Sequence, residues 1–295
     1  MKLENILSHF GIENSCDIAQ IHERAWDIDN AYVLKSNKNQ KELHKSLKMS
    51  HLLLSQGIPV AEYFNTTQGK PYVRSAGIFW CLMKKIKGSV FDPFVGDTTQ
   101  NGIALGKAVA QIHIALKNIE NKIKVPEKTV LEELQSWIEP ALKKHDFLFH
   151  DNIIASIYNL NYHALPRQLI HRDIHTGNLL FENNELTGYI DFDMCQRNIR
   201  IFDIAYLGCS QLVDHYKDAA RLQQWCEIFS GMLQGYDEIS PLSEAEIEAI
   251  PTLFVFIEVL FTAFFLQNDA PETAKNCANL ANWLYENRRI ICWQE

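Results

Sequence analysis

Hydrophobic positions divide the chain into a strand-rich first part and a helical remainder. Leu3, Ile6, Leu7 and Phe10 recur at helical spacing, and Gly11 marks where that short helix stops. Loose alternation over 17–23 predicts a strand, 26–30 a turn, and 31–35 a second strand with Lys35 at its end. Leu43, Leu47, Met49, Leu52, Leu53 and Leu54 place a helix over 39–56, closed by Gly57 ahead of Pro59. Strands over 60–64 and 72–74 flank a hairpin loop, and the apolar strand 78–83 runs into a basic stretch ending at Gly88. Beyond it the period changes. Leu105, Val109, Ile112 and Leu116 stripe a helix over 98–116, with His113 beside the stripe as a packed side chain. Further helices are predicted over 128–144 and 153–162, and from 201 onward. Ser243 with Glu246 three residues later forms a capping box. The run 253–266 reads as a buried helix, shorter than a bilayer span and carrying Glu258. The predicted division is a first domain over 1–88 and a second over 89–295.

One stretch, 169–193, reads LIHRDIHTGNLLFENNELTGYIDFD and holds the densest chemistry. Two short strands, 179–181 and 186–190, are joined by turn residues at 182–185. Such a hairpin is expected to bring Asp173, Asn178 and Asp191 to one of its ends. A carboxylate base with a hard amide and carboxylate suited to Mg²⁺ is what phosphoryl transfer from ATP requires. Two other readings use the same residues. Asp and Asn in loops commonly cap helices or close turns, and His171, Asp173 and His175 at alternate positions form a partial transition-metal set.

The whole string, HRD with Asn178 five residues after Asp173 and then IDFD, is more specific than either. It resembles the catalytic loop and metal-binding Asp of eukaryotic-like kinases. It resembles still more closely the small-molecule branch: aminoglycoside phosphotransferases, choline kinases and type II homoserine kinases. As in that branch, the last acid follows an apolar strand as IDF, and position 193 is Asp where protein kinases have glycine. The segment from Gly235 to Glu246 resembles the branch's GY…PL[ST]…E pattern, so the likeness extends into the last third of the chain. The segment HERAWDIDN has no glycine, unlike the phosphate loop of protein kinases.

The resemblance implies an α+β, two-lobed protein-kinase-like fold, with an N-terminal antiparallel sheet and one helix and a larger, mainly helical C-terminal lobe. It implies ATP and Mg²⁺ as cofactors. Lys35 would grip the phosphates, Glu42 would be its ion-pair partner, and Met83 and Ile86 would bound the hinge that holds adenine. Asp173 would be the catalytic base, Asn178 and Asp191 the metal ligands, and His171 and Asp203 supports of the catalytic loop. Arg172 and His175 would shape that loop. Glu258 is read as a partnered core acid, with an acceptor contact as its alternative.

Composition narrows the partners. Among 295 residues, 28 Lys and Arg against 36 Asp and Glu give a net charge of −8, which argues against nucleic acid. Seven scattered cysteines without a CxxC read as reduced thiols, and MKLENILSHF lacks a signal-peptide core, so the expected setting is cytoplasmic and without a membrane. The expected partner is a small-molecule hydroxyl acceptor, the expected state a monomer or homodimer. The acids Asp203, Asp214, Asp237, Glu238, Glu244, Glu246, Glu248 and Glu258 predict an acidic acceptor wall favouring a cationic substrate. Two alternatives keep the fold: a protein Ser/Thr kinase, disfavoured by the short distance from Asp193 to Asp203, and a pseudokinase, disfavoured because Lys35, Asp173, Asn178 and Asp191 are all present.

Overall fold

The computed structural model describes residues 2–12 and 16–288; the expected reach of the last helix to Trp293, and Cys292, lie outside them. In chain order the elements are α1 (Glu4–Leu7), β1 (Ile18–His22), β2 (Ala25–Ile28), β3 (Tyr32–Asn37) and α2 (Gln40–Leu54). Next come β4 (Tyr63–Phe64), β5 (Val73–Ser75), β6 (Ile78–Lys84), β7 (Ser89–Val90) and α3 (Thr98–Ile119). α4 (Val130–Glu133), α5 (Glu139–Lys144), α6 (Asp151–Tyr158), β8 (Arg167–Ile170), β9 (Leu179–Glu182), β10 (Glu185–Tyr189) and β11 (Gln196–Ile199) follow. The chain then continues through α7 (Ile201–Leu212), α8 (Ala219–Asp237), α9 (Glu244–Gln267) and α10 (Pro271–Asn287). These elements form two compact units, residues 1–90 with 121–123 and 178–193, and the remainder.

In the first unit the sheet order is β1-β2-β3-β6-β4, with β5 also on β6, and neighbours run antiparallel. The period of two sorts its faces. Trp80 and Leu82 of β6 join Ile28, Leu34 and the Ile6–Leu7 end of α1 in one core. Phe79 and Cys81 turn the other way, onto Leu43 of α2. Lys35 pairs in register with Cys81, so it belongs to the α2 face. Asn39 starts α2 by accepting from the backbone N–H of Lys41 and Glu42, and Gly57, at φ 76°, follows its end. Two expectations shift. Trp26 lies in β2, and the turn is confined to Asp29 and Asn30, both left-handed at φ 53° and 54°. β3 continues to Asn37, so Lys35 is inside the strand rather than at its end. The β9–β10 hairpin turns through Asn183 and Asn184, also left-handed, and β7 pairs with β9.

The second unit is built on α3 against α8. The two helices approach so closely that a Cβ on Gly106 would stand 2.0 Å from Met232 O, and one on Gly235 2.2 Å from Ile103 O. That close crossing is the physical reason for the glycine of the GY segment. α9 is the core helix, burying Leu253, Phe254, Phe256 and Ile257. It is longer than its apolar run: its 24 residues are long and apolar enough for a bilayer, and 61% of its most apolar window is buried in the protein. Burial, not shortness, therefore makes it a core helix. The predicted helix over 128–144 is interrupted. Leu134–Ile138 is a π segment between α4 and α5, with Pro140 at the start of α5. Pro140 cannot donate to the preceding turn, which accounts for the change of winding.

Candidate active site

β8 pairs antiparallel with β11 and delivers the chain to His171, Arg172 and Asp173. Arg172 takes a left-handed φ of 73°, a cost that persists only where surroundings impose it. They do so through Asp203 in the first turn of α7. Its Oδ2 accepts from the His171 backbone N–H at 2.8 Å and its Oδ1 from that of Arg172 at 2.9 Å. His113 Nε2 lies 3.0 Å from the same Oδ2, and His113 Nδ1 lies 2.9 Å from the Tyr236 hydroxyl. A carboxylate only accepts, so Nε2 carries the imidazole proton and Tyr236 donates to Nδ1. Asp203 is fully buried, and all of these contacts satisfy it. The Arg172 guanidinium is held by Glu133 at 2.5 Å and lies 3.9 Å over the Phe202 ring.

Asp173 follows, partly exposed, and its Oδ1 accepts from the Tyr206 hydroxyl at 2.7 Å. Burial, followed by the Asp173 charge, pushes the Tyr206 phenol well up, so it remains a donor at neutral pH. Tyr206, His175 and Thr176 line a cavity of about 600 Å³ that also reaches Glu258, Phe261 and Asp214. A carboxylate hydrogen-bonded to a tyrosine of such a cavity wall can orient a hydroxyl and accept its proton. Only Asp214 and Glu258 of the expected acidic wall line this cavity. Asp203 holds the loop, Asp237 accepts from the Leu242 N–H, Glu238 pairs with Lys107, and Glu246 pairs with Arg200. Glu258 is a buried core acid, as expected, with thiols rather than a cation beside it. It is 3% exposed; its Oε1 lies 3.2 Å from the Cys209 thiol, and among the described residues Oε2 has no hydrogen-bond partner. Burial lifts its carboxyl to about 7, with the Cys209 and Cys277 thiols drawing it partly back.

In the first unit, Asn178 opens the β9–β10 hairpin and Asp191 follows it. The Ile190 N–H donates to Asn178 O at 3.1 Å, which keeps the two residues at one end. Asp191 is left-handed at φ 63°. Among the described residues no three His, Cys, Asp or Glu gather as a metal cluster. An amide and a carboxylate at one hairpin end fit Mg²⁺, which takes few protein oxygens and completes its shell with phosphates and water. Lys35 Nζ lies 3.6 Å from Asp193 Oδ2. Ser46 of α2 donates to Asp193 Oδ1 at 2.8 Å, and Lys45 Nζ to Asp193 O at 3.0 Å. The ion pair expected between Lys35 and Glu42 is therefore replaced by Lys35 with Asp193. Glu42 instead accepts from the Asn39 side chain at 2.9 Å, as part of the α2 start. Met83 pairs in register with Val33 and Tyr63. Ile86 packs on Gly188, where a Cβ would fall 2.5 Å from Ile86 Cγ2. The backbone amides of Lys84 and Lys85, in the expected hinge, donate to Glu62 O and Ala31 O at 2.8 and 2.9 Å.

Sequence reasoning missed Tyr206, Glu133 and the part played by His113. Tyr206 lies three residues beyond Asp203, one helical turn along the same face, and that spacing was the available signal. Glu133 carried none, because its contact depends on a winding change that periodicity does not reveal.

A model of the phosphotransferase enzyme family matches residues 21–242. The homoserine kinase of Zymomonas mobilis subsp. mobilis is 24% identical over 244 residues, covering 80% of this chain and 72% of that enzyme. The homoserine kinase of Rhizobium rhizogenes is 32% identical over 164 residues, covering 50% of this chain and 46% of that enzyme. The chain thus spans about half the length of the latter. Among solved structures, an amicoumacin kinase bound to AMP-PNP, Ca²⁺ and Ami superposes with a TM-score of 0.68 at 18% identity, covering 93% of this chain and 90% of that one. A microcompartment-associated aminopropanol kinase gives 0.68 at 15% identity, covering 99% and 98%. These neighbours share the kinase-like fold, an antiparallel sheet first and helices after it. Because the family model covers most of the chain, and covers it from the first strand to the GY segment, the chain belongs to the phosphotransferase enzyme family.

Proposed function

We propose that the protein transfers the γ-phosphate of ATP, with Mg²⁺, to a hydroxyl of a small amine-bearing molecule. The observation that carries this reading is Asp173, which stands on a loop fixed by Asp203 and lies next to a cavity through Tyr206. Lys35, Asn178 and Asp191 belong to the sheet-bearing unit and are assigned to the nucleotide; Asp173 belongs to the helical unit and is assigned to the acceptor. Mg²⁺, held by Asn178 and Asp191 when present, would bridge and neutralise phosphate oxygens. Lys35 would counter the charge of the α- and β-phosphates, with Asp193 keeping its ammonium in position before nucleotide arrives. Met83 and Ile86 would bound the adenine hinge. Asp173 would accept the acceptor hydroxyl's proton and aim its oxygen, with Tyr206 orienting the carboxylate through Oδ1.

Homoserine and aminopropanol, named by the relatives, each carry an amine and an alcohol. A protein Ser/Thr kinase is less well supported. The residues between Asp193 and Asp203 are taken up by β11 and the first turn of α7, leaving no extended activation segment. The test is ADP release by the purified protein with Mg²⁺-ATP and a panel of amino alcohols, amino acids, aminoglycosides and a Ser/Thr peptide. Acceptor-dependent turnover with a small alcohol is expected; turnover with the peptide alone would favour the protein-kinase reading.

A further inference from the structure

We infer that His113 and Tyr236 are positioning residues of the proposed reaction, holding the loop that carries Asp173 through Asp203 by a chain of hydrogen bonds that all point one way; this rests on the phosphotransferase reading above. All three members of the chain are buried: His113 is 1% exposed, Asp203 and Tyr236 are 0% exposed. The segment from Gly235 to Glu246, which the capping box of α9 alone does not explain, thereby gains a part in the chemistry.

The carboxylate sets the direction of the chain. Asp203 accepts from the backbone N–H groups of His171 and Arg172 at 2.8 and 2.9 Å and from His113 Nε2 at 3.0 Å. With Nε2 donating, Nδ1 is the acceptor, and the Tyr236 hydroxyl donates to it at 2.9 Å. Burial pushes the Tyr236 phenol well up, so its proton stays in place. Ser240 and Arg200 both reach the phenol oxygen as donors. Arg200 Nη1 donates to Ser240 Oγ at 2.6 Å, which leaves the Ser240 proton for Tyr236. Every donor from Arg200 to His113 therefore faces Asp203, and bonds ordered in this way polarise one another.

The chain also closes on itself. Arg200 immediately precedes α7, and Asp203 lies in the first turn of that helix. The Arg200 fork is held by Glu246, with Nε at 2.7 Å from Oε1 and Nη2 at 2.8 Å from Oε2. Such a bidentate pair fixes the plane of the guanidinium. The path thus runs from the start of α7 past the end of α8 to α3, and back to the start of α7. Gln168 of β8 joins the same turn of α3, donating from Nε2 to His113 O at 2.9 Å. Without the His113 donor, Oδ2 of Asp203 keeps only the His171 amide of these contacts, and a buried carboxylate left short of a donor turns to recover one. Turning it loosens both amides that impose the left-handed Arg172, the residue before Asp173. A leucine at 113 would fill the space and break the chain. A glutamine would return a donor nitrogen to the Nε2 position.

Two measurements on the full chain test this. Long-range proton–nitrogen NMR of histidine-labelled protein reads the tautomer, the His113 signal being the one lost in His113→Gln. Wild type is expected to carry its proton on Nε2 alone, and Tyr236→Phe to show a mixture of tautomers. Steady-state kinetics with Mg²⁺-ATP and an amine-bearing alcohol then separate positioning from packing. His113→Leu and Tyr236→Phe should lower kcat by on the order of 10–10²-fold, with KM for ATP changed by less than about twofold, and His113→Gln should recover most of the loss. A proton on Nδ1 in wild type, unchanged kcat in either variant, a KM for ATP that rises in step, or a glutamine no better than leucine would each overturn the inference. If His113→Leu does not fold, Tyr236→Phe and the tautomer decide. Failure of the phosphotransferase reading would show separately, as no ADP release from wild type with any alcohol, while the tautomer is read without turnover.

Discussion

Asp173 is useful because the residues before it are constrained. Asp203 binds two successive backbone amides and fixes a left-handed Arg172, so Asp173, as the proposed base, would have little freedom to lose when an acceptor binds. Asp173→Asn keeps that shape and removes the proton acceptor; kcat should fall by roughly 10²–10⁴-fold with circular dichroism unchanged. The Lys35 contacts predict a contrast between two acids. Asp193→Ala frees the Lys35 ammonium and the Ser46 contact together, and should raise KM for ATP more than Glu42→Gln, which touches only the start of α2. Equal effects in ATP-dependent kinetics would argue that the Lys35–Asp193 pair has no part in holding the nucleotide. Asp203 was legible in the sequence because an acid in a first helical turn after IDFD has a recognisable place. The partner of Lys35 was not. Glu42 is the only acid of the helix that follows it, whereas Asp193 arrives from more than 150 positions away by a hairpin whose placement no local pattern specifies.

At the scale of elements, α9 and the interrupted α4–α5 run each hold a buried acid, Glu258 and Glu133. Glu133 sits at the end of α4, immediately before the π segment, and forms a buried pair with Arg172. Glu133→Gln leaves the guanidinium without its counter-charge and should cost about 3 kcal/mol, read from denaturant midpoints. Within α9, Glu258 has the opposite sign of effect. Its folded carboxyl lies at about 7 against an ordinary 4.5. Between those values the folded chain holds a proton that the unfolded chain has released, so stability falls as pH rises through that window. Glu258→Gln should therefore raise Tm at pH 8 by more than at pH 5, and a larger gain at pH 5 would contradict the sign. The capping box of Ser243 and Glu246, the α2 helix and the β9–β10 hairpin were readable, because each is specified by neighbours a few residues apart. The π segment was not, since Pro140 is compatible with either a kink or a helix start. The β2 turn was misplaced because Trp26 to Asn30 is polar enough for a turn, while pairing with β3 keeps Trp26 to Ile28 extended.

For the whole molecule, a net charge of −8 stands against two proposed ligands of opposite charge, a polyanionic nucleotide and a cationic acceptor. The proposed nucleotide would be tolerated only where Lys35 and a divalent cation offset its charge, so turnover should stop in excess EDTA and return with Mg²⁺. Zn²⁺ should not restore it, because the amide and carboxylate oxygens of Asn178 and Asp191 are hard donors. Restoration by Zn²⁺ would return attention to His171 and His175. The most direct test of the central claim is product analysis by phosphorus NMR and mass spectrometry, with wild type and Asp173→Asn incubated with Mg²⁺-ATP and an amine-bearing alcohol. A phosphate ester on the alcohol oxygen is expected with wild type, and a loss of at least about 10²-fold in its formation with Asp173→Asn. A phosphorylated amine, or equal ester formation by both proteins, would contradict it.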